Sequence, residues 1–338
     1  MTILDRLSLG VHASGASPRD AIAVAEALER AGWYGISIGD SVLDSFAALG
    51  AVAASTERLH LRNGVAILGR TPVQTASAAG TIDELAPGRY RLGLGTGSRE
   101  RSGGWHDLDY TRMVGRFGDY VTAVRAAWAT GPGRTADYHG QFYRFRGFAR
   151  LRPAKTADLP IDLAANGPQI LRLSGAIGDG VMLNDLHTGG FLHDIALPAI
   201  EAGERQAGKP AGATRRIGAF SVSLAPTVAR AIARGRVGVQ AYLSISHNRH
   251  ALEHYSRHDV KAAIERALES GDPAAVARAI PDEVVELFTI CGEAATIRAR
   301  LSAYDGVLDE AILHIPEWRV PGFDARAAYL ELIEALRP

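Results

Sequence analysis

Apolar positions along the chain switch repeatedly between short continuous runs and helical spacing. Leu7 to Val11 is an apolar run of strand length. Ser17-Pro18-Arg19-Asp20 then opens a helix, with Ser17 as N-cap, Pro18 at the first helical position and Asp20 near the positive end of the dipole. Ile22, Ala25, Leu28 and Ala31 recur at helical spacing, and Gly32 stops the segment. The alternation continues with a strand at Tyr34 to Ile38, a helix at Ser45 to Ser55, a strand at Leu59 to Ile67, and a helix opened by Thr71-Pro72 and running to about Ala86. A Pro87-Gly88 turn leads to a strand at Tyr90 to Leu94, and a helix follows from Met113 to Ala129. Further strands are predicted at Ile161 to Ala165, Val181 to Asn184, Ile217 to Leu224 and Ala311 to Ile315. Helices are predicted at Pro168 to Ile177, Phe191 to Ala207 and Ala325 to Leu336.

Strand–helix alternation of this kind implies parallel strands joined by right-handed crossovers. Eight such strands predict an α/β fold of the (β/α)8 TIM-barrel type, with a doubly wound open sheet as the alternative. The chain reads as a single barrel domain over residues 1–338 with two additions. Tyr138 to Arg152, aromatic and basic, is a small hairpin ahead of the fifth strand. Thr227 to Leu301, largely helical, lies between the seventh and eighth strands and is too long for a simple connection. It is either a cap over the barrel mouth or an oligomer surface.

Composition narrows the class. Of the 338 residues 47% are hydrophobic and 22% charged, which is ample for a globular core. Lys+Arg and Asp+Glu both total 37, so the basic excess that a nucleic-acid or anionic-membrane partner calls for is absent. A single cysteine, Cys291, excludes an intrachain disulfide and points to a reducing compartment. The first ten residues lack a signal-peptide pattern, and no apolar run approaches the roughly 20 residues that span a bilayer, so a cytoplasmic protein is expected.

The working residues of such a barrel lie at the C-terminal ends of its strands. Those ends carry His12, Asp40-Ser41, Asn63-Gly64-Val65, Gly93 to Ser98, Ala165-Asn166-Gly167-Pro168, Asn184-Asp185, and His314 with Glu317. The glycines from Gly93 to Gly97 lack G-x-G-x-x-G spacing, so a dinucleotide fingerprint is weak; a tight turn, or close approach of a backbone to a ring or phosphate, explains them as well. Gly167-Pro168 starts a helix whose positive end suits a phosphate, unless it is an ordinary helix start. Asp40 is either a carboxylate facing a cofactor or a helix N-cap. His250, His254 and His258 fall at i, i+4, i+8, close to His247, but neither a glutamate in HExxH spacing nor a cysteine ligand accompanies them, so no metal site is predicted. No G-x-S-x-G elbow is present, and hydrolase chemistry is unsupported.

Three blocks carry a family resemblance. Leu59 to Gly97 holds a Thr71-Pro72 helix start, the Thr81-Ile82-Asp83-Glu84-Leu85 turn approach ending at Arg89, and the Gly93-Leu94-Gly95-Thr96-Gly97 strand end. Leu163 to Asn184 joins a Gly167-Pro168 helix start to an Asp179-Gly180-Val181 strand, and Ile280 to Arg300 forms the third block. Together they resemble the bacterial luciferase-like family, specifically its coenzyme F420 (deazaflavin)-dependent branch, which contains methylenetetrahydromethanopterin reductase. The resemblance implies an oxidoreductase that moves a hydride between F420 and a small organic substrate, with an FMN-dependent monooxygenase as the alternative. It places a non-proline cis peptide at Gly64–Val65 behind the cofactor ring, Asp40 close to the ring, Thr96, Gly97 and Ser98 along it, and Ala165, Asn166 and Gly167 at its tail. His12, Asp40 and Asn184 become the candidates to position substrate or relay a proton. Ser41 and Ser98 stand where the sugar-phosphate dehydrogenases of the family carry histidine and glutamate, so that activity is not expected. The same losses leave a cofactor-binding protein without turnover as a third reading. A homodimer or homotetramer is implied, and the aromatic hairpin (Tyr138, His139, Phe142, Tyr143) is expected to line the pocket for an apolar or cyclic substrate.

Overall fold

The computed structural model describes residues 2–12, 16–40, 43–317, 320 and 323–338, with backbone alone at 100, 101, 246 and 247. Ser41 therefore lies outside the described residues. The strands in chain order are β1 (Leu7–Val11), β2 (Gly35–Ile38), β3 (His60–Asn63), β4 (Ala66–Ile67), β5 (Tyr90–Gly95), the hairpin β6 (Ala136–His139) and β7 (Arg144–Phe148), β8 (Ile161–Ala164), β9 (Gly180–Leu183), β10 (Arg215–Leu224), β11 (Thr289–Gly292) and β12 (Glu310–His314). Parallel pairing runs β1-β2-β3-β5-β8-β9-β10-β12 and returns from β12 to β1, closing an eight-stranded barrel with helices outside it. Each predicted barrel strand is present, and the open-sheet alternative is ruled out by that closure.

Local signals explain why the outer helices start where they do. Ser17 and Asp20 form a reciprocal capping box at the helix Pro18–Ala31, and Gly32 ends it in the left-handed conformation at φ 83°. Thr71 and Gln74 do the same for Pro72–Leu85, and the Asp44 carboxylate caps Ser45–Ser55. The buried faces of these helices pack on the apolar outer side of the strands in one large core that includes Val24, Leu28, Leu49, Ile82, Tyr120 and Tyr329.

The lower barrel interior is charged. Arg62 of β3 donates to Asp162 of β8 at 2.9 Å and to Glu310 of β12 at 2.5 and 2.8 Å. Arg91 of β5 shares Asp162 (2.8 and 2.5 Å), Arg215 of β10 reaches Glu310 (3.1 Å), and Ser8 of β1 donates to the same carboxylate (2.8 Å). Six strands are thereby tied through two buried carboxylates. Burial alone would raise both acids, but the guanidinium groups hold Asp162 and Glu310 below their ordinary values.

Four features add to the sequence expectations or depart from them. A helix at Arg99–His106 follows β5, in a stretch for which the sequence reading assigns no element. The segment from 227 to 301 is largely helical as expected, and it adds a strand: β11 pairs with the upper half of β10, Ser221–Leu224, as a ninth strand beside the barrel. A second apolar cluster (Leu243, Leu252, Ile264, Val284, Val285) gives this segment a core of its own. The histidine series does not share one helix face, because the helix breaks after His254 and restarts at His258. Side-chain facts for His247 lie outside the description. No helix among the described residues is long and apolar enough to cross a membrane.

Candidate active site

The third barrel strand stops at Asn63 and resumes at Ala66, and the Gly64–Val65 peptide between them is cis. This bulge is tied on the β2 side by Gly64 N–H to Ile38 O and Asp40 N–H to Val65 O, both 2.8 Å. The Asp40 carboxylate completes the brace, accepting from Ser45 N–H at 2.9 Å and Ile67 N–H at 3.1 Å. On the β5 side the bulge needs glycine: a Cβ on Gly93 would lie 1.8 Å from Asn63 O, and one on Gly95 would lie 2.6 Å from the Val65 side chain. The conspicuous Gly93 to Gly97 run thus makes room for the plainer bulge beside it.

A cavity of about 420 Å³ opens over the bulge at the C-terminal ends of the strands. Val65, Met182, Ala219 and Ile312 form its apolar floor, and Asp40, Gly64, Thr96, Gly97 and Ser98 line one side. Asn166 and Gly167 line the cavity just before the helix Pro168–Ile177, whose N-cap Gly167 makes no side-chain capping bond. His12, Asn184, Asp185 and His314 complete its polar lining. Of the predicted site residues, His12, Asp40, Gly64, Val65, Thr96, Gly97, Ser98, Asn166, Gly167 and Asn184 are gathered around this one cavity. Ala165 is not among its lining: it is buried, and its N–H donates to Met182 O, while Ala164 faces the cavity instead.

Several lining residues went unread in the sequence. Trp105, 55% exposed, stands at the rim on the helix Arg99–His106. Tyr242, Ile245 and Asn248 come from the 227–301 segment, so that segment does reach over the mouth. The hairpin does not. Asp119 of the helix Met113–Trp128 accepts from Phe142 N–H, Tyr143 N–H and the Tyr138 hydroxyl, which holds the hairpin against that outer helix and away from the cavity.

The polar side of the cavity is organised around Asp185. It is buried, its Oδ1 lies 2.6 Å from His314 Nδ1, and its Oδ2 accepts from the Tyr242 hydroxyl. Burial would raise its pKa, yet the His314 ring, the Tyr242 hydroxyl and nearby His12 bring it down to about 2. The His12 ring lies against His314 at 4.7 Å between centroids. Asn184 spends its side-chain oxygen on Leu186 N–H (3.1 Å). Among the described residues no three metal-ligating side chains are grouped to hold an ion. His250 pairs with Glu253, and His254 faces Asp194 at 3.7 Å. Cys291 is buried, and burial pushes its thiol up to about 11, away from reactivity.

Comparison with known proteins bears on this geometry. Residues 1–310 match the family described as luciferase-like monooxygenase. The chain is 31% identical over 229 residues to 5,10-methylenetetrahydromethanopterin reductase of Archaeoglobus fulgidus, an alignment covering 66% of each chain and so just under two thirds of that relative's length. It is 30% identical over 244 residues to the F420-dependent glucose-6-phosphate dehydrogenase of Beutenbergia cavernae, covering 67% of this chain and 71% of that one. Among solved structures, the coenzyme F420 dependent tetrahydromethanopterin reductase from Methanopyrus kandleri shares the fold with a TM-score of 0.80 at 18% identity, over 98% of this chain and 97% of that one.

Proposed function

The chain belongs to the luciferase-like family, and from that premise we propose that it is a coenzyme F420-dependent oxidoreductase passing a hydride between the deazaflavin and a small organic molecule. One observation carries the reading: a single cavity joins an apolar floor over Gly64–Val65 to an uncapped helix start at Gly167-Pro168. The first suits a planar ring, and the second, with its positive dipole end, suits a phosphate. The two relatives named above, both enzymes of F420 or methanopterin chemistry, support the same choice.

In this reading Gly64, Val65, Thr96, Gly97 and Ser98 hold the ring, and Asn166 and Gly167 hold the tail. When bound, the deazaflavin supplies a two-electron hydride carrier that the side chains lack. The chain's own contribution is orientation. Asp40 fixes the bulge through Ser45 N–H and Ile67 N–H, so its carboxylate serves as a brace. The 227–301 segment, through Tyr242, Ile245 and Asn248, shields the substrate side from water. Sugar phosphate is not the substrate in this reading, because Ser98 offers no carboxylate at the end of β5. A cytoplasmic location and a homodimer or homotetramer go with the reading.

The test is a fluorescence titration of the purified chain with F420 and, separately, with FMN. Saturable quenching by F420 and none by FMN is expected. Tight FMN binding with no F420 binding would replace this reading with the reduced-flavin monooxygenase that the family's description names.

A further inference from the structure

Outside the brace at Asp40, the cavity wall presents one polar group whose surroundings are built rather than incidental. His314 ends β12 and lines the cavity, and its Nδ1 lies 2.6 Å from the buried Asp185 carboxylate. A carboxylate that also receives the Tyr242 hydroxyl can only accept, so Nδ1 carries the ring proton. Nε2 is then the nitrogen left for a ligand. The strand beneath makes space for this placement: a Cβ on Gly10 of β1 would lie 1.9 Å from His314 Nε2 and Cδ2. Glycine there is what allows the ring to lie across the end of β1.

We propose that His314 is the acid–base residue of this site, exchanging a proton between Nε2 and the heteroatom of a substrate that carries a C=O or C=N bond, or its reduced CH–OH or CH–NH form. Asp185 and Tyr242 are positioning residues that fix the imidazole tautomer and aim. The proposal rests on the hydride-transfer reading above. In the reducing direction Nε2 first takes up a proton from solvent; hydride then adds to the carbon, the π electron pair moves onto the heteroatom, and that atom takes the Nε2 proton, leaving the ring neutral with its proton on Nδ1. In the reverse direction Nε2 accepts the proton as hydride leaves carbon. Asp40 and Asn184 do not fill this role, because Asp40 is spent on two backbone N–H groups and the Asn184 oxygen on Leu186 N–H. The ionisable groups around the His314 ring are His12 from the end of β1, Asp185 after β9 and Tyr242 from the 227–301 segment. Glu317, three residues further on, is paired with Arg234.

Imidazole ¹⁵N spectra of the full chain, without cofactor, test the placement, with His314→Gln used for assignment. The expected spectrum at neutral pH has His314 protonated at Nδ1, and Asp185→Asn moves it towards the Nε2-protonated form. Cyclohexanol as probe is expected to shift the Nε2 resonance. An Nε2-protonated His314 that Asp185→Asn leaves unchanged, or an Nε2 resonance that the probe does not move, overturns the proposal. Turnover of cyclohexanone with reduced F420 tests the chemistry. Here His314→Gln is expected to lose about 100-fold or more in kcat with KM changed little, while Asp185→Asn and Tyr242→Phe alter the pH profile of kcat. Equal kcat in His314→Gln and wild type overturns it. F420 quenching by the same variants separates the two readings: quenching lost in wild type removes the cofactor assignment, whereas the cofactor-free spectra decide His314 on their own.

Discussion

Two carboxylates at the ends of β2 and β9, on opposite sides of the barrel, show how much a residue's role depends on distant backbone. The position of Asp40 is legible in the sequence as the end of the second strand, but its function is not, because one of its two partners is Ile67 N–H, 27 residues away and presented only by the bulge. Asp40→Asn would turn an amide N–H₂ towards a backbone donor. The expected cost is about 1 kcal/mol in urea unfolding, from one unsatisfied half-buried group, together with weaker F420 quenching. Unchanged stability would show that the brace is dispensable. Asp185 works the other way. Its folded pKa, about 2, lies below the ordinary value of 3.8, so its ionised form stabilises the native state above about pH 4. That contribution is lost as pH falls from 3.8 towards about 2. The stability gap between wild type and Asp185→Asn in denaturant titrations is therefore expected to be widest at neutral pH and to shrink across that acid window.

At the scale of elements, the sequence is most readable where the governing contacts are local. Ser17 with Asp20 and Thr71 with Gln74 sit three residues apart, so the helix starts they produce fall at the predicted positions. The charged floor of the barrel is the opposite case. Arg62 meets Asp162 100 residues away and Glu310 248 residues away, and no pattern within either strand announces a partner. β11 escaped for another reason: Thr289–Gly292 is only four residues long and follows a helix directly. Because Glu310 links Arg62, Arg215 and Ser8, Glu310→Ala strands buried guanidinium groups and is expected to cost about 3–5 kcal/mol in chemical denaturation. A loss under 1 kcal/mol would mean that water or a repacked side chain replaces the carboxylate.

At the scale of the whole molecule, the barrel and the 227–301 segment have separate apolar clusters, and residues from both parts line the cavity. Length flagged this segment as a cap or an oligomer surface, and Tyr242, Ile245 and Asn248 place it over the mouth. Aromatic content misdirected the reading of the hairpin, since Asp119, the residue that ties it down, lies on a helix earlier in the chain. Hydrogen exchange should separate the two parts: adding F420 is expected to slow exchange in residues 240–250 several-fold and leave β1 and β12 amides unchanged. Uniform slowing, or none, would argue against closure by this segment. The placement of Trp105 has an optical consequence. Trp33 and Trp128 are buried, whereas the Trp105 indole stands at the cavity rim. The protein thus carries its own emitter beside the place where a deazaflavin would absorb. Among the described tryptophans Trp105 is the one that lines the cavity, so Trp105→Phe is expected to lower energy transfer to bound cofactor while leaving binding measurable from the cofactor's own emission.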